Sequence, residues 1–334
     1  MARKENQKLK LIYTLDILKK YSDEENPVNA LKIAEHLADY GIEAERKSIY
    51  NDIKVLEDYG CDIIKSSSKK GWFIGNREFE VPEIYLLTDA VRSAKFISSK
   101  KSRELVNKLN SMLSIHQAKK IKNSVFFAPN DKCGNEELYY SIDTITSAIE
   151  SKKQIKLNYS SREFSQNRQV ERKYKEMTLN PYALTWQDDH YYLICNYSKY
   201  DNLIHLRLDR ISSVEITDTP VRHFSEVSEY TEFFDTADYT KKLFSMFTGT
   251  LTDIHLRCRR EITEQVLDRF TEDIFITDVT DEQFSFRVKA VISDALVTWI
   301  INYGKDLTVL KPDNLKDMVK NRALEVLNNY GDTQ

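Results

Sequence analysis

Glycine and proline are scarce, eight and six in 334 residues. Loops that cradle phosphates on closely spaced glycines are therefore hard to build. No GxSxG, HExxH, GxGxxG, Walker-type or DFG-type motif occurs. The residue patterns of the common hydrolases, metalloproteases, dinucleotide enzymes and kinases are thus missing, and no catalytic residue, metal or cofactor is expected. The four cysteines, Cys61, Cys133, Cys195 and Cys258, lie far apart, with no CxxC pair and no histidine at zinc-finger spacing. A disulfide framework or zinc site is not expected, and a reducing cytoplasm is the natural setting. No run approaches the roughly 18 apolar residues of a membrane span, and the basic start MARKENQKLK leads into an amphipathic segment. An excess of one charge is missing too: 49 Lys+Arg stand against 52 Asp+Glu, a net −3. Any affinity for nucleic acid must come from local placement of charge.

What is present divides into four regions. Residues 1–78 alternate short helical patterns and end in a Ser/Lys/Gly-rich hairpin; residues 79–135 are helical and basic, breaking at Ala128-Pro129-Asn130-Asp131. Residues 136–225 open with a helix and turn strand-rich, and residues 226–334 pass from an acidic, aromatic linker into a mixed α/β unit. The length suits several domains of about 100–150 residues better than one core.

In the first region Leu11, Leu15 and Leu18, with Ile12 beside them, predict one helix, and Ile33, Ala34 and Leu37 a second after the turn at Asn26-Pro27. A third helix, from about Glu45 to Asp58, closes at Gly60. At 100° per residue, Ile49, Ile53 and Leu56 fall in one narrow arc; Lys47, Asn51 and Lys54 fall opposite, flanked by Arg46 and Tyr50. Such a face suits insertion into a major groove, where Lys and Arg reach phosphates or guanine, Asn pairs with adenine, and Tyr meets phosphate or a thymine methyl. Ser48 lies on the same helix. Strands at 61–65 and 71–75 around Ser66-Ser67-Ser68-Lys69-Lys70 complete a winged helix-turn-helix pattern, with Lys69 and Lys70 at the wing tip. The competing reading is a solvated helix face. Residues 1–80 carry 14 basic and 15 acidic residues, so such a head would bind weakly as a monomer.

In the connector, Leu86, Ala90, Phe96 and Ile97, then Leu105, Leu109 and Leu113, predict two helices, with Pro82 in the first turn of one. Residues 95–122 hold eight basic residues and one acidic; a solvated surface, a dimerising arm and an auxiliary phosphate contact all fit. In the third region a helix at 141–149 precedes a strand at 155–159, a polar basic loop (Arg162, Arg168, Arg172, Lys173, Lys175), a strand at 177–184 interrupted at Pro181, a turn at Gln187-Asp188-Asp189-His190, and strands at 191–197, 203–211 and 214–216. That succession points to a small, bent β-barrel. The pair of aspartates beside His190 invites a metal-nuclease reading, but polar residues are expected in such a turn.

The order Asn180-Pro181-Tyr182-Ala183-Leu184, Tyr191-Tyr192-Leu193 and Leu206-Arg207-Leu208-Asp209-Arg210-Ile211 resembles the WYL-domain family of bacterial regulators. The naming Trp-Tyr-Leu triplet stands here as Tyr191-Tyr192-Leu193, departing at its first position. The resemblance implies an Sm-like barrel with a basic, aromatic effector site for single-stranded nucleic acid or a nucleotide. Read from the residues, alternation sends His205, Arg207 and Asp209 to one face; Arg207 and Arg210 can hold phosphates with Asp209 orienting an arginine. Tyr159, Tyr182, Tyr191 and Tyr192 offer stacking surfaces. Barrel packing for the tyrosines and an internal salt bridge for the arginines stay open.

The last region predicts β-α-β-β-α-β, a ferredoxin-like order, followed by a helix from Pro312 to about Asn329 with Leu315, Val319, Ala323, Val326 and Leu327 at helical spacing. Trp299 and Tyr303 suit a core. In the family such an extension implies dimer contact and signal relay. The expectation for the whole is an α+β multidomain regulator: a homodimeric, cytoplasmic repressor, binding a palindromic double-stranded operator and answering to an effector. The alternative is an accessory module of another machine that grips single strands and has no operator.

Overall fold

A computed structural model describes residues 2–124, 132–271 and 274–330. The break expected at Ala128-Pro129-Asn130-Asp131 lies outside them. The chain forms two compact units, Met1–Glu136 and Glu137–Gln334.

The first unit opens with three helices, α1 (Ala2–Tyr21), α2 (Ala30–Asp39) and α3 (Arg46–Asp58), and a short antiparallel hairpin of β1 (Ile63–Lys65) and β2 (Trp72–Ile74). Asn29 starts α2 by accepting the Lys32 amide on its side chain at 3.0 Å. Gly60, at φ +102°, lets the chain turn away after α3, a conformation that costs other residues a steric clash. Ile17, Leu18, Ile33, Leu37, Ile49, Ile53, Leu56 and Trp72 form the core. Helix α1 departs from expectation: Leu11 and Leu15 are only half-buried and Ile12 is 56% exposed, while Lys10 and Thr14 go inside with Ile17 and Leu18. The buried stripe is thus rotated toward α3, where Lys10 finds a partner.

Beyond the hairpin stand three helices rather than two: α4 (Val81–Ser93), α5 (Ser99–Asn110) and α6 (Ile115–Ser124). Pro82 sits in the first turn of α4 within a capping box made by Glu80 and Glu83. Phe96 and Ile97 lie past the end of α4, buried in the turn, whereas Leu86 is exposed; Ile84, Leu113 and Ile121 make the local core.

The second unit begins with α7 (Leu138–Glu150), followed by β3 (Lys153–Phe164), β4 (Val170–Gln187), β5 (His190–Asn196), β6 (Leu203–Arg207), a 3-10 turn (Leu208–Arg210) and β7 (Ile211–Pro220). These strands make one antiparallel sheet in the order β6-β5-β4-β3-β7. Asp188 and Asp189, both at positive φ, form the two-residue turn between β4 and β5. Four expectations are corrected here. The barrel is not closed: the 3-10 turn cuts β6 to five residues, and β6 and β7 remain the sheet's edges. The predicted strand 203–211 ends at Arg207 for the same reason, so Asp209 lies outside the alternation. Pro181 does not interrupt β4 but sits at a bulge between Pro181 and Ala183 that bends it. The basic loop is no loop: β3 and β4 stay paired from Ile155↔Leu179 out to Phe164↔Val170.

A linker carrying α8 (Thr236–Lys242) leads to β8 (Thr250–Arg259), α9 (Thr263–Phe270), β9 (Phe275–Val279), β10 (Gln283–Ile292), α10 (Asp294–Asn302), β11 (Leu307–Lys311) and α11 (Asp313–Tyr330). The sheet order β11-β8-β10-β9, all antiparallel, is that of the predicted β-α-β-β-α-β unit. Trp299 packs between Phe244, Phe270 and Tyr303 in its core. The first half of α11 is anchored, by Leu315, Met318 and Val319 in the core and by Arg322 on Asp294 at 3.1 Å; Leu324, Val326 and Leu327 are 46%, 45% and 66% exposed, and Ala323 is exposed too.

Candidate functional site

In the first unit α3 buries Ile49, Ile53 and Leu56 and turns Arg46, Lys47, Tyr50, Asn51 and Lys54 to solvent. The exposed polar face is therefore the one the helical arithmetic placed opposite the core. Its members do not all stand free. The Tyr50 ring meets Trp72 edge-on at 4.9 Å, tying the helix to the hairpin. Ser48 accepts a hydrogen bond from Lys10, whose ammonium also pairs with Asp52 at 2.9 Å. Both charges are nearly covered, 6% and 11% exposed, and burial raises the Asp52 carboxyl above its ordinary range against the pull of Lys10. Sequence reading missed this pair. Its signal was a charge beside each apolar stripe, Lys10 next to Leu11 and Asp52 next to Ile53. At the hairpin tip Lys70 is exposed, while Lys69 donates to the Glu25 carbonyl.

In the second unit the β5–β6 register sets Tyr192 opposite Arg207 and Ile194 opposite His205. Arg207 forks onto Asp209, Nε to Oδ1 at 3.0 Å and Nη2 to Oδ2 at 2.7 Å, with the two side chains 25% and 12% exposed. Those bonds hold the guanidinium's pKa above its usual value. Burial raises the Tyr192 phenol, and the nearby Arg207 charge works against that rise. Tyr159 lies close enough to act electrostatically on both Tyr192 and Arg207. The structure thus brings Tyr159, Tyr192, Arg207 and Asp209 together: a guanidinium held rigid by one carboxylate, with aromatic hydroxyls beside it. Such a group can bind an anion without first being ordered.

The other expected residues lie apart from that cluster. Tyr182 is buried and donates to the Arg222 carbonyl at 2.8 Å, stacking on Phe234 of the linker. Tyr191 is half-buried opposite Trp186, and Arg210 is exposed past the edge of β6. His205 is covered by the linker: Nδ1 lies 2.6 Å from the Met246 carbonyl and Nε2 2.9 Å from the Tyr239 hydroxyl. A carbonyl only accepts, so Nδ1 carries the proton and Tyr239 donates to Nε2. Burial lowers the imidazole pKa to about 4. The linker over this face was legible only as acidic and aromatic. It also walls a cavity of about 560 Å³, lined among others by Leu203, Val227, Tyr230, Tyr239, Lys242 and Leu251. Inside it Lys242 pairs with both Glu229 and Asp238.

Among the described residues no helix is long and apolar enough to cross a membrane, and no group of three His, Cys, Asp or Glu side chains is placed to hold a metal.

Residues 141–216 match the WYL domain family and residues 250–327 the WCX domain family. Among solved structures the chain is similar to proteasome accessory factor B/C (PafBC) of Arthrobacter aurescens, at 18% identity and TM-score 0.28; the match covers 97% of this chain and 49% of that one. The chain therefore spans about half the length of that protein. A CRISPR Cas-related protein is similar at 13% identity and TM-score 0.37, over 96% of this chain and 85% of that one. At those scores neither likeness carries an argument. No curated protein matches.

Proposed function

The chain is a WYL-domain protein, with a WYL domain followed by a WCX domain, and from that premise we propose that it is a DNA-binding transcriptional regulator whose grip on DNA answers to a ligand. The observation that carries the reading is α3: Arg46, Lys47, Tyr50, Asn51 and Lys54 on its solvent side, Ile49, Ile53 and Leu56 in the core, and a hairpin with Lys69 and Lys70 at its tip following on. In this reading the first unit is a winged helix-turn-helix. Helix α3 enters the major groove and the hairpin is the wing beside it.

The head's charge is nearly balanced, so a pair of heads on a two-fold operator supplies what one lacks. The unpartnered apolar end of α11 (Leu324, Val326, Leu327) supports a homodimer built there. The cluster of Tyr159, Tyr192, Arg207 and Asp209 supports an anionic effector, a nucleotide or a single strand, on the five-stranded sheet of the WYL domain. We assign the protein the role of repressor, released or engaged when the effector alters the spacing of the heads.

Footprinting on DNA upstream of its own gene tests the proposal. A discrete palindromic footprint, lost in Lys47→Ala and Asn51→Ala, is the expected result. Uniform, salt-sensitive binding without a preferred site would overturn it in favour of a single-strand accessory module.

A further inference from the structure

The β3–β4 pair runs on past the sheet that holds it. Strand β3 keeps β7 as a neighbour only as far as Tyr159↔Ile211. Beyond that point Ser160–Phe164 and Val170–Tyr174 pair only with each other, and residues 161–164 and 170–176 are all exposed. A free two-stranded ribbon with no packed face is marginal in water, so its residue pattern is not explained by a core.

The register sorts that pattern by face. One face carries Ser161↔Lys173 and Glu163↔Glu171, with Lys173 paired to Glu163. The other carries Arg162↔Arg172, directly opposed, between Phe164↔Val170 and Ser160↔Tyr174. Like charges set directly opposite destabilise a strand pair. The nearest carboxylate in register on that side, Glu176, is already paired with Lys156 at 2.9 Å. Phe164 and Tyr174 are 83% and 62% exposed on either side of the arginines. Residues 159–175 hold five Arg or Lys and two Glu, a net +3 within a chain of net −3.

Two guanidiniums that repel each other, flanked by exposed rings and without an acid of their own, fit a polyanion that also offers apolar edges. Residues 161–164 and 170–176 are exposed on both faces of the ribbon, so it offers no walls to cradle a single strand. A two-stranded ribbon does fit the major groove of a duplex, where arginines reach phosphate or guanine and aromatic rings meet thymine methyls. We propose that the Arg162/Arg172 face of the ribbon is a second contact for duplex DNA, carried by the second unit and separate from α3.

The test uses the full-length chain and a fluorescent mixed-sequence duplex of about three helical turns, titrated by anisotropy over a range of salt. Each lost phosphate contact lowers the slope of log K against log salt by about 0.9, so Arg162→Ala/Arg172→Ala should lower it by about 2 and weaken binding most at low salt. Its circular dichroism should not change, because both side chains are exposed. A p-benzoylphenylalanine placed at Tyr174 should cross-link to the duplex. An unchanged slope, a cross-link to a second copy of the chain, a larger effect on oligothymidylate than on the duplex, or no duplex binding by the wild type overturns the proposal. Lys47→Ala/Asn51→Ala separates the two readings. If α3 fails as the reader, the footprint does not depend on that variant, yet the ribbon's share of the slope persists. If the ribbon fails, the footprint keeps its α3 dependence.

Discussion

Lowering the pH should loosen the second unit through His205, and the size of the effect follows from its surroundings. The ring is closed in by the Met246 carbonyl and the Tyr239 hydroxyl, an arrangement that suits the neutral imidazole. Its pKa falls from 6.5 to about 4 in the folded protein. A depressed folded pKa means that the unfolded chain takes up the proton first. The stabilisation is therefore complete above pH 6.5 and is lost as pH falls through the window from 6.5 to 4. The full window corresponds to about 3 kcal/mol, of which about 2 kcal/mol is gone by pH 5. Two measurements check this. The His205 C2–H resonance, assigned by its absence in His205→Gln, should titrate near pH 4. Urea unfolding of the wild type should lose stability between pH 7 and 5 faster than that of His205→Gln. A midpoint near 6.5, or the same acid sensitivity in both proteins, would refute the reasoning. Because the linker supplies both partners, the same acidification should expose it to proteolysis before the sheet core.

Removing one half of the pair beneath α3, Asp52→Ala, strands the Lys10 ammonium in a nearly closed site and should cost about 3 kcal/mol, read as a drop in the first unit's unfolding midpoint. The double change Lys10→Met/Asp52→Leu should recover most of that loss; if it is as unstable as the single variant, the pair is not the cause. Arg207→Ala should abolish the response to effector and leave basal operator binding intact, measured by anisotropy with and without nucleotides and short single strands; equal loss of both would mark the arginine as structural. Leu327→Glu, placed on the exposed end of α11, should shift the sedimentation of the protein from dimer to monomer without altering its circular dichroism.

The sequence disclosed most where burial imposes a period. Ile49, Ile53 and Leu56 fixed the orientation of α3, and with it the solvent side of Lys47, Asn51 and Lys54. The C-terminal order was legible because its strands and helices alternate over short, strongly apolar runs such as 284–292 and 296–301. Where a segment is polar on both sides, the period vanishes: the ribbon at 160–174 has no buried residue to mark its alternation, so it read as a loop. The break after Arg207 was hidden because Leu206, Leu208 and Ile211 mimic a continued strand. Long-range contacts were out of reach altogether. His205 meets Tyr239 and Met246, 34 and 41 residues away, and Lys10 meets Asp52 across two helices. Neither partner can be named from the local sequence, although a charge beside each apolar stripe marks Lys10 and Asp52. The cluster at Arg207 was half-visible, since Asp209 is two residues off and could be named as a partner while its forked geometry could not.

One joint in the first unit has a mechanical consequence. Val28, in the loop between α1 and α2, exchanges both backbone hydrogen bonds with Trp72 at 2.9 Å. Beside it Gly71, at φ +140°, lies so close that an added Cβ would stand 2.6 Å from the Val28 carbonyl carbon. The hairpin is therefore riveted just below its tip, at the Lys65↔Trp72 pair, so the base of the Ser66–Lys70 loop is fixed to the α1–α2 loop. Lys69 adds a second tie, from the loop to the Glu25 carbonyl. A bulkier residue at 71 would pry the rivet open and turn a one-piece tool into a hinged one.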